Sequence, residues 1–524
     1  MTNRALLWPI SLLLASAISF SPATSRAENP TAKAVDPGNV PPPTRLLVGP
    51  YRSYQPQISY KKGVEGTIYA SIAFRGEGVS AFPVDKSGTD YQNGFVFGPQ
   101  VRIGAYYDTL EKISPLNLRL EYEQDVLTGF VTSGDRPSGS ELPDAAQIES
   151  PIRKLGLTFG GRYFRFGGGW ATNHFGLGLL ANDGSTSNWT PGSARFADNR
   201  GGDRVIRGYI ATGPISDLGI VASFAGNEVM GDDILLPGDK ASQAIGTISI
   251  GYGKKTGAGI FIVQRKHTAQ SGGVTNATAI DFTARHEHVG THYTISVEGE
   301  AAIVFGKTSI AATPEVPIQD VLQFGTILRA AMRTRHGGAV LDVLYASGDN
   351  NPYDDKQTAF RADPNLEMGL LLNRYVLAAQ TGRATATAGD PNLVGVASQG
   401  LERIPTRGAP TNTLTIFPRF YVRPLAGLEV YGGPLLAFNM APLYDPLNTR
   451  VAGGVVKNAL GGTSGQTLGL EMDLGVRQRM LIRGMELTVG LEGGMLLPGS
   501  AFADAKGTPM SAVYGGRGLV QHRF

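Results

Sequence analysis

Apolar and polar residues alternate over long windows of this chain, and that period of two restricts its possible folds more than any other feature. In 466–477, Leu468, Leu470, Met472, Leu474 and Val476 alternate with Thr467, Glu471, Asp473 and Arg477. In 484–497, Met485, Leu487, Val489, Leu491, Met495 and Leu497 alternate with Glu486, Thr488 and Glu492. In 277–288, Ile280, Phe282 and Ala284 alternate with Asp281, Thr283, Arg285 and Glu287. A pleated strand sends the two sets to opposite faces. One oily face backed by acids and bases suits lipid outside and water inside.

A half-buried soluble sandwich also alternates, so the connections must discriminate. Read backward from Phe524, the pattern gives about 18 strands (16–18), and the connections alternate between short and long. Short ones include Lys254-Lys255-Thr256-Gly257, His288-Val289-Gly290, Arg335-His336-Gly337-Gly338 and Arg423-Pro424-Leu425-Ala426-Gly427. Long ones cover about 76–93, 132–152, 169–203, 227–241, 307–320, 348–411, 441–465 and 498–510. Short periplasmic turns and long extracellular loops are the expected asymmetry of an outer-membrane barrel, and an even strand count returns both termini to the periplasm. The predicted fold is therefore all-β, a transmembrane antiparallel β-barrel over 63–524. Its least regular parts are the Gly-rich hairpin at 153–168 and the stretch 46–60, which offers a further strand.

The N-terminus agrees with export. Arg4 precedes an uncharged apolar stretch from Ala5 to Phe20, and Ser25-Arg26-Ala27 sets small residues at −3 and −1 of a cleavage before Glu28. A membrane anchor is the competing reading, but the run is short for a span and Pro9 interrupts it. Residues 1–27 are thus expected to be a signal peptide, and 28–62 a periplasmic segment that opens Pro-rich. Removing two arginines with the signal lowers the net charge from +3 to +1 (3 − 2), which gives no electrostatic case for nucleic acid. Cysteine is absent, so disulfides, thiolate metal sites and a cysteine nucleophile are excluded. After residue 27 no stretch is long and apolar enough for a membrane helix, which a barrel does not need.

Alternation places both signs of charge on the inward face. The set comprises Arg119, Glu121, Glu123, Asp281, Arg285, Glu287, Glu298, Glu300, Arg419, Arg423, Glu429, Glu471, Asp473, Arg477, Glu486 and Glu492. These residues either line a pore and tune its selectivity or pair across strands as a salt-bridge network. The loop 348–411 carries the other candidates: Asp349, Asp354, Asp355, Arg361 and Arg374 as residues of a constriction. Asp349, Asn351, Asp354 and Asp355 are possible Ca²⁺ ligands, but Phe360 stands where an EF-hand needs Glu, and an Asx-turn-rich loop is the plainer reading. Farther on, Asp363-Pro364 followed by Leu366, Met368, Leu371, Leu372, Tyr375, Val376 and Ala379 predicts a helix over about 364–381. That helix either folds into the lumen or caps the rim.

The Gly-rich segment 170–184 lacks the Lys-Ser/Thr of a phosphate loop and reads as close backbone packing inside the barrel. His286, His288 and His292 surround a turn and could hold Zn²⁺, although interfacial histidines are commoner there. Gly-x-Ser-x-Gly and His-Glu-x-x-His do not occur, so neither an enzyme nor a cofactor is expected.

Several short motifs carry a family resemblance: Gly160-Gly161-Arg162-Tyr163, Gly202-Asp203-Arg204 and Ala346-Ser347-Gly348-Asp349. With the terminal Phe524, on the face of Val520 and His522, the chain resembles the large outer-membrane porins, particularly the 18-stranded alginate-export type. Residues 175–184 (FGLGLLANDG), 346–355 (ASGDNNPYDD) and 360–365 (FRADPN) also look like an uncharacterised group of myxobacterial-type outer-membrane barrels. The resemblance implies an outer-membrane location in a Gram-negative bacterium and contact with bilayer lipid and lipopolysaccharide. It also implies that the barrel-assembly machinery reads Phe524. The expected function is a porin-like channel passing small polar solutes or an anionic polymer such as a polysaccharide. A non-conducting receptor or structural barrel is the alternative, and a barrel enzyme the third.

Overall fold

The computed structural model describes residues 58–60, 64–91, 95–109, 117–129, 148–161, 163–184, 192–196, 202–366, 368–482 and 485–523. The expected signal peptide, the Pro-rich stretch after it and Phe524 lie outside the described residues.

Eighteen antiparallel strands close into one barrel. The first six are β1 (Val64–Val79), β2 (Val96–Thr109), β3 (Asn117–Gly129), β4 (Ile152–Gly160), β5 (Phe164–Thr172) and β6 (Arg204–Thr212). Then come β7 (Val221–Gly231), β8 (Lys240–Ile250), β9 (Thr256–Thr268), β10 (Val274–Val289), β11 (Tyr293–Thr308) and β12 (Gln319–Thr334). The wall ends with β13 (Gly337–Ala346), β14 (Thr413–Leu425), β15 (Leu428–Asn439), β16 (Thr467–Ile482), β17 (Met485–Pro498) and β18 (Val513–Arg523). Each strand pairs with its sequence neighbours, and β18 returns to β1 from Ser71↔Arg523 to Val79↔Gly515. Closure removes the open edges that a sheet would otherwise present to lipid.

Two short pairings cover places where strand ends are staggered. Ile58–Tyr60 pairs with β1 at Val64–Gly66, below the end of β18, so part of the stretch 46–60 is indeed a strand. Lys356–Gln357 pairs in parallel with Asp320–Val321 of β12, above the end of β13.

The pleat sorts side chains as alternation requires. Outward rows are apolar: Ile262, Ile280, Ile303 and Phe324 stand opposite one another on β9 to β12. Leu474, Leu491 and Phe420 are more than half exposed on the same outer surface. Inward positions are buried, many of them charged: Asp281 and Glu471 are 0% exposed and Asp342 1%. One residue departs from the pattern. Leu468 does not join Met472 and Leu474 outside, because the register between β15 and β16 slips from Ala437↔Gly469 to Phe438↔Thr467. The extra residue of this bulge turns inward, and Leu468 is fully buried.

Among the described residues, the connections at 251–255, 290–292, 335–336 and 426–427 lie at the end of the barrel where Ile58–Tyr60 and Arg523 stand, and the longer loops lie at the other. Two long loops fold back into the barrel. Leu177, Leu179 and Phe196 from the β5–β6 loop share one apolar cluster with Phe360, Leu366, Met368, Leu372, Tyr375 and Val376 from the β13–β14 loop. Inward wall residues Ile327, Leu344, Phe417, Tyr431, Leu435, Leu468 and Leu496 belong to it, as do Phe82, Val84 and Tyr91 of the β1–β2 loop, Leu460 of the β15–β16 loop and Phe502 of the β17–β18 loop. Each fully buried Leu or Val there contributes roughly 1.5–3 kcal/mol relative to exposure, which is what keeps the loops inside.

Candidate functional site

The lumen wall is built from cross-strand rungs of alternating charge. On one rung Arg285, Glu298, Arg329 and Asp342 stand in register across β10 to β13. Arg329 grips Asp342 with Nε at 2.7 Å and Nη2 at 2.9 Å, and Arg419 of β14 binds the same carboxylate. A second rung aligns Glu492, Arg517 and Glu77 across β17, β18 and β1, with Arg517 Nε 2.6 Å from Glu492. A third group joins β2, β3 and β4: Arg102 to Asp125 at 2.6 Å, Arg153 to Glu123 at 2.8 Å and Lys154 to Glu121 at 3.6 Å. Arg119 lies 3.5 Å from Asp108 and 5.0 Å over the Tyr106 ring. Opposite charges facing across a ladder stabilise the pairing, and they satisfy groups that burial would otherwise leave costly.

Several wall carboxylates bind the backbone of the infolded loops. Glu471 accepts the N–H groups of Leu370, Leu371 and Leu372. Glu300 accepts those of Leu177 and Leu179, and Glu429 that of Gly192. Glycine makes the close approach possible in both main loops. Gly176 and Gly369 have φ of +54° and +80°, and a Cβ on either would come within 2.4 and 2.7 Å of the Glu300 and Glu471 carboxylates respectively. Successive N–H groups after a left-handed residue form a concave anion cradle, here wrapped around a wall side chain. Asp281 and Asp473 lie beside these two glutamates, both buried.

The remaining expected lumen residues also lie on the wall. Glu429 is held by Arg423 at 3.1 Å and by Arg477, and Glu486 by Arg479 at 3.0 Å and Arg523 at 3.7 Å. Glu287 sits near the short-turn end of β10, where its N–H meets the Lys255 carbonyl at 3.0 Å. The sequence reading did not single out Arg102, Asp125, Arg153, Arg329, Asp342, Arg517 or Glu77. Their signal was the register: each stands beside or diagonally across from an acid or base in the rungs above.

The residues of the β13–β14 loop divide. Asp349 and Asp354 stay near the rim, where their carboxylates accept the N–H groups of Asn351, Thr358 and Lys356 at 2.9–3.0 Å. The bonds to Asn351 and Lys356 close Asx turns, and the bond to Thr358 ties Asp349 across the base of the loop. The Asp355 carbonyl receives the Asp320 N–H at 2.8 Å. Arg361 lies 3.4 Å from Asp233 in the β7–β8 loop, and Arg374 reaches Glu77 at 3.0 Å. The helix starts later than 364. A π-turn at Leu372–Leu377 leads into α1 (Ala378–Gly389), because Asp363 caps Asn365 and Asn182 instead of starting a helix.

The mouth is tied across loops. Asp239 of the β7–β8 loop binds His267 at 2.8 Å, Arg403 at 2.7 Å and the Gln270 N–H at 2.9 Å. Burial would raise the Asp239 carboxyl, but these donors outweigh it and hold it down at about 2. His286 bonds Thr256 at 2.7 Å, and His288 packs against the Tyr293 ring with centroids 6.0 Å apart. Among the described residues no group of His, Asp or Glu is arranged to hold a metal.

A closed barrel with an apolar outer belt belongs in a bilayer, and single-chain closed barrels of this kind are outer-membrane structures of Gram-negative bacteria. No protein-family model and no curated protein sequence matches the chain. Among solved structures, the chain is similar to Pseudomonas aeruginosa OccK2 (OpdF), with a TM-score of 0.52 and 8% identity over 88% of this chain and 97% of that one. Acinetobacter baumannii OccAB1 gives 0.50 and 8% over 87% and 96%. Pseudomonas aeruginosa OccK9 (OpdG) gives 0.50 and 10% over 87% and 98%. At these identities the likeness shows a shared barrel fold, that of large outer-membrane porins, while the alginate-export and myxobacterial resemblances rest on short sequence motifs alone.

Proposed function

We propose that the protein is an outer-membrane channel through which small polar solutes diffuse. The observation that carries this reading is a barrel of 18 strands whose inward face bears charged rungs. A barrel of that size encloses more space than its own wall side chains fill. The loops pinned by Glu300 and Glu471 narrow that space, as a constriction would. Rungs that alternate in sign favour small dipolar or singly charged solutes over a long anionic polymer, whose passage needs a continuous basic face. Glu298, Arg329, Asp342 and Arg419 on the wall, Arg361 and Arg374 on the inner part of the β13–β14 loop, and Asp349, Asp354 and Asp355 at its rim end are the residues proposed to set selectivity.

Planar-bilayer recording on the refolded full chain tests this. Discrete conductance steps are expected, blocked by small but not by large polyethylene glycols, with a reversal potential in a salt gradient that shifts when Arg329 or Asp342 is neutralised. A silent bilayer would overturn the channel in favour of a receptor or structural barrel. The apolar cluster joining both loops to the wall is the feature that favours that second reading.

A further inference from the structure

The outer surface carries one feature that a lipid belt does not explain. On β9 to β12 the outward residues near the long-loop end form a single row in register: Lys266, Asn276, Lys307 and Asp320. Lys356 continues the row through its parallel pairing with Asp320. On β8, Ser242 stands between Lys266 and the exposed Glu228 of β7, and Lys240 lies one outward position closer to the rim, so the three lysines at 240, 266 and 307 are flanked by Glu228 on one side and Asp320 on the other. Lys240, Lys266, Lys307 and Lys356 are all exposed. Lys307 is braced by Asp320 at 3.4 Å, yet its side chain stays 70% exposed.

The surroundings define what such a row can meet. Directly beneath it, two residues along each strand, stand Gln264, Thr278, Phe305 and Leu322, and then Ile262, Ile280, Ile303 and Phe324. Strands lie about 4.8 Å apart, so Lys266 and Lys307 are separated by about 10 Å across Asn276, and the lysine row stands about 7 Å above the first apolar residues. Cations at that height border the polar edge of the outer leaflet, with acyl-chain contacts immediately below. Between these strands the connections at this end cover only 269–273 and 309–318.

We infer that Lys240, Lys266 and Lys307 form a docking site for the phosphate groups of a phosphorylated glycolipid of the outer leaflet, the lipid A part of lipopolysaccharide. Two phosphates carried at the ends of one sugar pair match cations spread over about 10 Å, whereas a lipid with one phosphate engages a single lysine. Phe305 and Leu322 then lie against its acyl chains. This inference rests on the outer-membrane orientation, with the long loops outward. It does not depend on conduction, because these side chains face away from the lumen.

The test is native mass spectrometry of the full chain in mild detergent, titrated separately with bisphosphorylated lipid A, dephosphorylated lipid A and phosphatidylglycerol. Bisphosphorylated lipid A is expected to bind, and the combined variant Lys240→Gln, Lys266→Gln and Lys307→Gln to bind about a hundredfold more weakly, on the order of one surface-lysine contribution per position. Equal binding by wild type and variant, or equal binding of all three lipids by the wild type, overturns the site. Conductance recorded on the same variant separates the two readings. An unchanged conductance with lost lipid binding supports the docking site, while a silent wild type that still binds lipid A removes only the channel.

Discussion

The two infolded loops use the same device with different reinforcement. In the β5–β6 loop, Gly176 turns the chain so that Leu177 and Leu179 donate to Glu300, and Phe175 stacks on Phe261 with centroids 5.0 Å apart. In the β13–β14 loop, Gly369 does likewise, and three successive N–H groups meet Glu471. There the donors begin a π-turn that runs on into α1, so the carboxylate also sits at the positive end of a helical segment. Arg374 adds an ion pair to Glu77 on the far side of the β16–β18 sector. The same cradle thus holds a simple loop in one place and the base of a helix in the other, and the second should be the harder to release.

The sharpest way to break this comparison is to remove each carboxylate. Glu471→Ala leaves three buried donors unmet at roughly 1–3 kcal/mol each, and Glu300→Ala leaves at least two. Glu471→Ala should therefore open residues 360–389 to limited proteolysis and raise conductance most, with Glu300→Ala next. The reverse order, or no change in either, would show that the apolar cluster alone holds the loops. Gly369→Ala and Gly176→Ala come after, each losing the left-handed turn and crowding the glutamate. They should lower the midpoint of the heat-induced gel shift by an amount matching about 1–2 kcal/mol, with wild-type values telling against the cradle.

Acid should loosen the ties across the mouth. Asp239 is held below its ordinary 3.8, at about 2, so its stabilising effect is complete above about pH 4 and disappears as pH falls through about 2. The wild type should lose stability across that window, and Asp239→Asn should be weaker at neutral pH and flatter with acid. Parallel pH profiles for the two would rule out this linkage. The smallest effect is expected from Arg383→Ala on α1. Its bond to Asp85 at 2.8 Å is part-exposed, Arg383 being 40% accessible, so the change should fall within about 1 kcal/mol.

Much of the wall was legible because a strand's faces follow from its own residues. The window 277–288 falls inside β10 and 484–497 coincides with most of β17, while the loop expected at 348–411 spans Ser347 to Asn412. What failed to show depended on distant partners. Asp363-Pro364 looks like a helix start, but the group that caps the helical segment is Glu471, on another strand. Leu468 reads as lipid-facing until the bulge at Gly469 is known. The cradles left no side-chain signature beyond two glycines, since their donors are backbone N–H groups that every residue but proline carries.

The short parallel pairing of Lys356–Gln357 with β12 has a consequence for how the molecule meets the outside world. It fastens the root of the β13–β14 loop to the rim by main-chain bonds, with Gln357 also tied to Gln319 at 3.0 Å. Any rearrangement of the loop's inner half must then hinge beyond residue 357. A phage or antibody reading the rim at 347–357 would therefore meet the same face whether the interior is narrowed or widened.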